Sequence, residues 1–403
     1  MEADSGYMLS LIETFNYCCF KYLSQPLSPI NVLTGPHGSG KTLFLDTLSF
    51  LNRLVREDPE SAVYERAGTF QDLTWRRGRS HFELAVEAEI PEAIRRQLSP
   101  TLFDHIRYEV SVGLDDEDQI AILAEKGLLR QRQSASETQQ KLFPQNLLTP
   151  ASILMSPRSD RRWIFNKKPG GNDNYYSEVQ KKGGGGWRPS FKLGPRKSAF
   201  GNLPQEQSLF PAATWFKEFL TQDIKTVTLN ERLLKRPCSP GQTTHLKPNA
   251  ANLPIVVKDL KIVAPQQFEK WIAMLKTVLP DIENIHIKEQ QDTYKIYLTL
   301  AYRSGVEVPS WMLSGGTLRL FALTLPAFLK DTKGIYIYKN PENGLHRDGI
   351  KAVFDALTSI HSAQVFISTH SPVLLNAASF ASVFCFEKNE QGASEIVPGS
   401  VVR

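Results

Sequence analysis

Long apolar runs are missing from this 403-residue chain: no stretch approaches the ~20 residues that a membrane-spanning helix needs. Nor does the N-terminus lead from a basic segment into an apolar stretch and a small-residue cleavage site, so no secretory leader is read there. Cysteine is scarce. Cys18, Cys19, Cys238 and Cys385 show neither metal-ligand spacing nor the density of a disulfide scaffold, which points to a reducing cytoplasm. A strong charge of either sign is absent as well. The 47 Lys plus Arg against 42 Asp plus Glu leave a net +5, too little over this length to identify a nucleic-acid binder. What remains is a chain without internal repeats, long enough to bury a large core in one elaborated domain or two to three smaller ones.

The first feature that carries chemistry is Gly35-Pro36-His37-Gly38-Ser39-Gly40-Lys41-Thr42. It matches G-x-x-x-x-G-K-[ST], in which glycines let successive backbone N–H groups face phosphate oxygens while the next helix presents its positive end. Its context fits. Ile30 to Thr34 reads as a short buried strand, and Leu43, Leu45, Leu48, Leu51 and Leu54 recur near helical spacing. The expected ligand is ATP with Mg²⁺: Lys41 reaching the β- and γ-phosphates, Thr42 offering its hydroxyl to the metal.

Beyond the loop, His81 to Ile90 and Ile106 to Val112 alternate as half-buried antiparallel strands with one apolar face. From Ser156 to about Gln207 the composition turns to Gly, Lys, Arg, Asn and Ser, including Gly183 to Gly186, and predicts long loops or partial disorder. Basic and aromatic residues interleave within 158–197: Arg158, Arg161, Arg162, Lys167, Lys168, Lys181, Lys182, Arg188, Lys192, Arg196 and Lys197 with Trp163, Tyr175, Tyr176, Trp187 and Phe191. Such a mixture suits either contact with nucleic acid or a solvated surface. Helical spacing returns at Phe210 to Leu220 and Phe268 to Leu279, and Tyr294 to Tyr302 alternates as a strand.

The last third holds three further motifs. Leu313-Ser314-Gly315-Gly316 opens an apolar helix, where small residues and the helix N-terminus favour an anion, although Ser314 also suits an ordinary helix cap. The strand Gly334 to Tyr338 runs through Lys339 and Asn340 into Pro341-Glu342-Asn343-Gly344-Leu345-His346. The strand Val365 to Ser368 ends in Thr369-His370-Ser371-Pro372.

In this order the four motifs resemble those of the ATP-binding cassette ATPases, and more narrowly the RecF/SMC-like branch with the stand-alone ATPases related to the OLD proteins. The resemblance implies an α/β fold: an ABC-type P-loop NTPase head, a mixed sheet with helices plus an antiparallel β layer, carrying a helical and loop-rich insertion. The corresponding division is 1–155 for an N-terminal ATPase lobe, 156–290 for the insertion and 291–403 for a C-terminal ATPase lobe. It further implies head-to-head assembly of two copies, with Ser314, Gly315 and Gly316 facing the γ-phosphate held by the partner copy and His370 contacting it from the same protomer. Relatives also place a Mg²⁺-sensing glutamine near the site, for which Gln71 is the candidate.

One departure stands out. Relatives end the strand before P-E-N-G-L-H in two acidic residues, the first for Mg²⁺ and the second for the attacking water, and Lys339 and Asn340 stand here instead. Lysine cannot serve a cation site, and asparagine has no titratable carboxylate to act as general base. Two readings follow: Glu342 substitutes and hydrolysis survives at a reduced rate, or nucleotide is a structural ligand or slow switch. The second is preferred. The chain ends soon after the strand Ser382 to Phe386, leaving no room for the Toprim nuclease of OLD proteins, so an effector such as a nuclease is expected as a separate chain. Relatives occur in anti-phage defence, which suggests a sensor or scaffold role there; the alternative is an active DNA-associated ATPase of repair type using residues 158–197.

Overall fold

A computed structural model of the protein describes residues 8–99, 101–131, 149–156, 158, 160–179, 189–330 and 332–398. They fall into two units. One comprises Met1–Ser28, Gly35–Ile224 and Phe384–Arg403, the other Pro29–Thr34 and Lys225–Val383.

The first unit is built on an eight-stranded sheet in the order Phe20–Pro26, Leu9–Tyr17, His81–Glu89, His105–Leu114, Ile120–Arg130, Arg161–Lys167, Asp173–Tyr175, Ser190–Phe191. Every neighbouring pair is antiparallel, so the expected antiparallel layer is present, with Leu84 opposite Val110. The helix Lys41–Arg56 buries Phe44, Leu48, Leu51 and Leu54. Its Phe50 meets Tyr17 and Phe82 of the sheet with ring centroids 5.9 and 5.4 Å apart. Edge-to-face contacts of this kind add to the area they bury and fix the helix in rotation about its axis.

The polar alternates of these strands do not face solvent, as alternation alone suggests. Arg107 is fully buried, with Nη2 2.5 Å from Glu13 and Nε 2.6 Å from Glu109, while Arg130 pairs with Glu87. Residues 152–155 cover this layer: Ile153 N donates to Glu83 at 2.7 Å and Met155 N to Glu109 at 2.8 Å. Carboxylates buried in this way must be paired or hydrogen-bonded, and here they are both.

Strands also occur where the composition of 156–207 predicts loops. In Arg161–Lys167, Ile164 and Phe165 are buried, and the basic residues find internal partners: Arg162 donates to the carbonyls of Ser99 and Ser177, and Lys167 pairs with Asp173 at 2.8 Å. Gly183 to Gly186, Lys181, Lys182, Trp187 and Arg188 lie outside the described residues.

The second unit has a parallel core. Gly334–Lys339 pairs with Ala363–Ser368, and Ala363–Ser368 pairs in turn with Ile30–Thr34, in registers that set Tyr336 opposite Val365 and Val365 opposite Ile30. All six residues of Ala363–Ser368 are buried, as expected of a strand covered on both faces. The strand Ile224–Val227 flanks Gly334–Lys339. A three-stranded antiparallel meander is formed by Ile282–Glu289, Ile296–Tyr302 and Glu307–Pro309. The longer helices of the unit are Leu253–Val263, Pro265–Val278, Gly315–Thr324 and Arg347–Thr358. Trp271 donates to Thr324 Oγ1 at 2.9 Å inside this helical layer.

Candidate functional site

The phosphate-type loop begins where Ile30–Thr34 ends. Gly35 has φ +139°, and a Cβ there would fall 2.3 Å from the carbonyl oxygen of Phe386, so the chain passes too close to Phe386 for any side chain. Gly40, at φ +103°, caps Lys41–Arg56 and lies against Cys19, Phe20 and Ser394. Pro36, His37 and Gly38 are exposed, Ser39 and Gly40 buried, and Thr42 opens to solvent.

The ammonium of Lys41 donates to the carbonyls of Gly35 and Pro36 at 2.6 and 2.9 Å, folding back over the loop. Burial pushes its pKa down, and no carboxylate among the described residues pairs with it. The first turn of Lys41–Arg56 holds no acidic residue, and Arg53 and Arg56 occupy its last turn. The positive end of the helix macrodipole is thus left uncompensated, and with Lys41 it forms a cradle suited to a polyanion. The donor set fits a triphosphate, with the Thr42 hydroxyl available to a metal ion. Among the described residues, no group of three or more His, Cys, Asp and Glu could hold a metal by itself. Gln71 is exposed in the short turn Phe70–Leu73, where its backbone carbonyl accepts from Thr74.

In the second unit, Ser314 is the N-cap of Gly315–Thr324, its Oγ accepting from Thr317 N at 3.1 Å. The capping reading of that serine is therefore realised in the geometry. Gly316 runs so close to Gly344 that a Cβ would lie 2.5 Å from the Gly344 carbonyl oxygen, which joins the L-S-G-G and P-E-N-G-L-H segments. Over Gly315 sits the carboxylate of Glu231, with its Cδ 2.5 Å from where a Cβ would be. Glu231 also accepts from Lys235 at 2.8 Å, and this hydrogen bond holds its pKa below the usual carboxylate range. An acidic side chain from outside the helix thus faces the first turn that the motif leaves free of acid. Arg319 follows one turn later, and desolvation of its half-buried guanidinium lowers its pKa against the opposing pull of the Glu231 charge. Arg319 lies within the Pro309 to Leu320 motif, whereas Glu231 carries no local sequence signal, because their proximity arises from packing of the short helix Glu231–Leu234 beside Gly315–Thr324.

At the end of Gly334–Lys339, Lys339 is exposed and Asn340 adopts φ +46°, the left-handed region that asparagine tolerates better than most residues. Asn340 N donates to Ser368 O at 2.8 Å. Glu342 reaches the neighbouring motif. Its Oε1 accepts from Thr369 Oγ1 at 2.6 Å and from His370 N at 3.1 Å, while Oε2 is buried without a hydrogen bond among the described residues. Thr369 N donates to Leu33 O at 2.9 Å, two residues before Gly35. The His370 side chain is exposed. Asn340, Glu342, Thr369 and His370 are thereby brought together, but Glu342 is turned inward as a latch and does not present a free carboxylate to solvent.

Among the described residues no helix is long and apolar enough to cross a membrane. The family described as "AAA domain, putative AbiEii toxin, Type IV TA system" matches residues 30–376. No curated protein matches the chain. Among solved structures, an SMC head bound to the C-winged helix domain of ScpA is 13% identical, with a TM-score of 0.53 over 96% of each chain. A second SMC head, with an extended coiled coil and bound to the C-terminal domain of ScpA, from Pyrococcus furiosus, is 12% identical over 97% of this chain and 96% of that one, with a TM-score of 0.48. The fold is that of the ABC-type NTPase head.

Proposed function

The chain belongs to this AAA-domain family, and from that premise we propose that it binds ATP with Mg²⁺ and assembles head-to-head around the nucleotide, as a slow switch or scaffold for a separate effector protein. One observation carries the reading: the Lys41 ammonium, held by loop oxygens and by no described carboxylate, beside a helix N-terminus with no acid in its first turn. Residues Gly35 to Thr42 would hold the triphosphate, with the Thr42 hydroxyl on the metal. Ser314, Gly315 and Gly316 would meet the phosphates bound by a partner copy, and His370 would contact the γ-phosphate from its own protomer. The ligand supplies the charge that draws the two heads together.

Turnover is slow or absent on this reading. Lys339 offers no carboxylate to the metal, and Asn340 cannot take a proton from water. Glu342 does not compensate, since one oxygen is committed to Thr369 and His370 N and the other is buried. The family description, with its toxin–antitoxin setting, supports a defence role with a separate protein partner. The solved SMC head bound to a winged-helix domain supports the separate protein partner alone.

The test measures ATP binding and turnover side by side for the native chain, Lys41→Ala, and Lys339→Asp combined with Asn340→Glu. Nucleotide-dependent dimerisation and tight binding with little hydrolysis are expected for the native chain, with binding lost in Lys41→Ala. Hydrolysis by the native chain at the rate of the acid-restored variant would sink the slow-switch reading.

A further inference from the structure

Within the second unit lies a cavity of about 210 Å³. Its floor is Tyr336 of Gly334–Lys339. The last turn of Leu253–Val263 contributes Leu260 and Val263 to the walls, and Pro326 and Leu329 line them as well. Thr244, His245 and Leu246 close a third side.

These walls are fixed in place by hydrogen bonds. The buried Asn252 amide donates to the carbonyls of Thr243 and His245 at 2.7 and 2.8 Å, while its Oδ1 accepts from Lys247 N at 3.0 Å. On the other side, Thr332 Oγ1 donates to Pro326 O at 2.8 Å, and Ser362 Oγ donates to Thr332 O at 2.7 Å. A loop clamped by a buried asparagine has already lost the freedom that a ligand would otherwise have to remove, which lowers the cost of binding.

The polar groups of the lining are unbalanced. Lys225, His245 and Lys330 face one described acid, Asp259. Lys225 is the best placed of them. Its ammonium donates to the phenol oxygen of Tyr336 at 3.2 Å and lies 5.0 Å from the centre of that ring, and no described carboxylate pairs with it. An ammonium has three donors, and this one commits a single donor to a neutral acceptor in a chamber of mixed polar and apolar lining. Such a group is set to receive an anion, and the surrounding Leu246, Leu260 and Leu329 are set to receive an apolar body.

We propose that this cavity is a binding site for a small amphiphilic anion, a carboxylate on an apolar body, with the head on Lys225 and the body against Tyr336 and the leucines. Its lining includes no residue of Gly35 to Thr42. Tyr336 belongs to the strand Gly334–Lys339, so a ligand resting on it packs against the strand that leads through Lys339 into Asn340.

Calorimetric titration of the full chain without nucleotide tests this, using octanoate, 3-phenylpropionate and octan-1-ol as probes. The two acids separate an aliphatic from an aromatic body, and the alcohol removes the charge. At least one acid is expected to bind, with octan-1-ol roughly tenfold to a hundredfold weaker than octanoate if the body is aliphatic. Lys225→Met is expected to bring the favoured acid down by the same factor. Val263→Trp, at a rim position that is 61% exposed, is expected to abolish binding of every probe while leaving the fold intact, and it serves as the test if Lys225→Met does not fold. No binding of either acid at ~10 mM would overturn the proposal. Acid affinity unchanged in Lys225→Met, or in Val263→Trp, would do so equally.

Discussion

Glu342 and Thr369 are joined by a 2.6 Å hydrogen bond, the threonine hydroxyl donating to a carboxylate whose other oxygen is buried. The bond ties the turn after one parallel strand to the turn after its neighbour. Because the carboxylate also accepts from His370 N, it orders the backbone that presents the histidine.

Breaking this latch is expected to cost stability before it alters any chemistry. Thr369→Val removes the donor and leaves Oε1 with one partner, at about 1–3 kcal/mol. Glu342→Ala removes the acceptor at a similar cost, and the double variant is expected to be little worse than either single one. Urea unfolding of the four proteins in a cycle measures the coupling. Strictly additive losses would show that the two side chains do not act as a unit.

Gly35 admits no substitute. An alanine there combines a left-handed backbone at φ +139° with a Cβ 2.3 Å from the Phe386 carbonyl oxygen. Gly35→Ala is expected to lower stability by about 1–3 kcal/mol or more and to weaken ATP binding, because the carbonyl that positions Lys41 moves with it. Gly38→Ala has φ +73° but open space around its Cβ, so it carries the backbone strain alone and is expected to be the milder of the two. Equal thermal shifts for both would refute the argument from Phe386.

On the slow-switch proposal, placing an acidic pair at positions 339 and 340 also costs stability. Asn340 sits at φ +46°, where glutamate is less at ease than asparagine, so Asn340→Glu is expected to lose about 1 kcal/mol of stability even as it supplies a base. With Lys339→Asp beside it, turnover is expected to rise by roughly 10²–10⁴-fold, the usual value of general acid–base assistance. A steady-state phosphate-release assay paired with a melting curve reads both effects. Unchanged turnover in a folded double variant would refute the role proposed for Lys339 and Asn340.

Stability is expected to depend on pH through Glu178. Burial lifts its carboxyl to about 8, and the amides of Ala212 and Ala213, which donate to it at 2.6 and 2.9 Å, offset this only in part. A carboxyl with a higher pKa in the folded chain than in the unfolded one binds its proton more tightly when folded. Its contribution is full below the ordinary carboxylate range and is lost as pH rises through about 8. Between ~pH 5 and ~pH 9 the native chain should lose more stability than Glu178→Gln does. Parallel slopes for the two proteins would rule out this assignment.

How much of this was legible beforehand depends on the range of the interaction. The loop Gly35 to Thr42, with its strand and helix, was readable because each part is local: spacing, glycine and an apolar run. The parallel strands at 334–339 and 363–368 were readable as continuous apolar segments. The fate of polar residues was not. Glu83 and Arg107 look like the solvent face of alternating strands until residues 152–155 cover them, and Arg162 and Lys167 look like a cationic surface until Ser99 and Asp173 engage them. Glu231 over Gly315 belongs to the same class, a contact that only the folded chain creates.

The pairing of Ile30–Thr34 with Ala363–Ser368 also governs the order of events during synthesis. The early strand emerges from the ribosome long before its partner has been made, and Val32 and Leu33, both fully buried in the finished fold, remain uncovered in the meantime. Pairings so distant along the chain form slowly and leave apolar surface open to aggregation while they wait. A nascent chain stalled before Ala363 therefore holds every residue of the phosphate loop but lacks the strand that pairs with Ile30–Thr34, and such chains are the ones expected to need a chaperone.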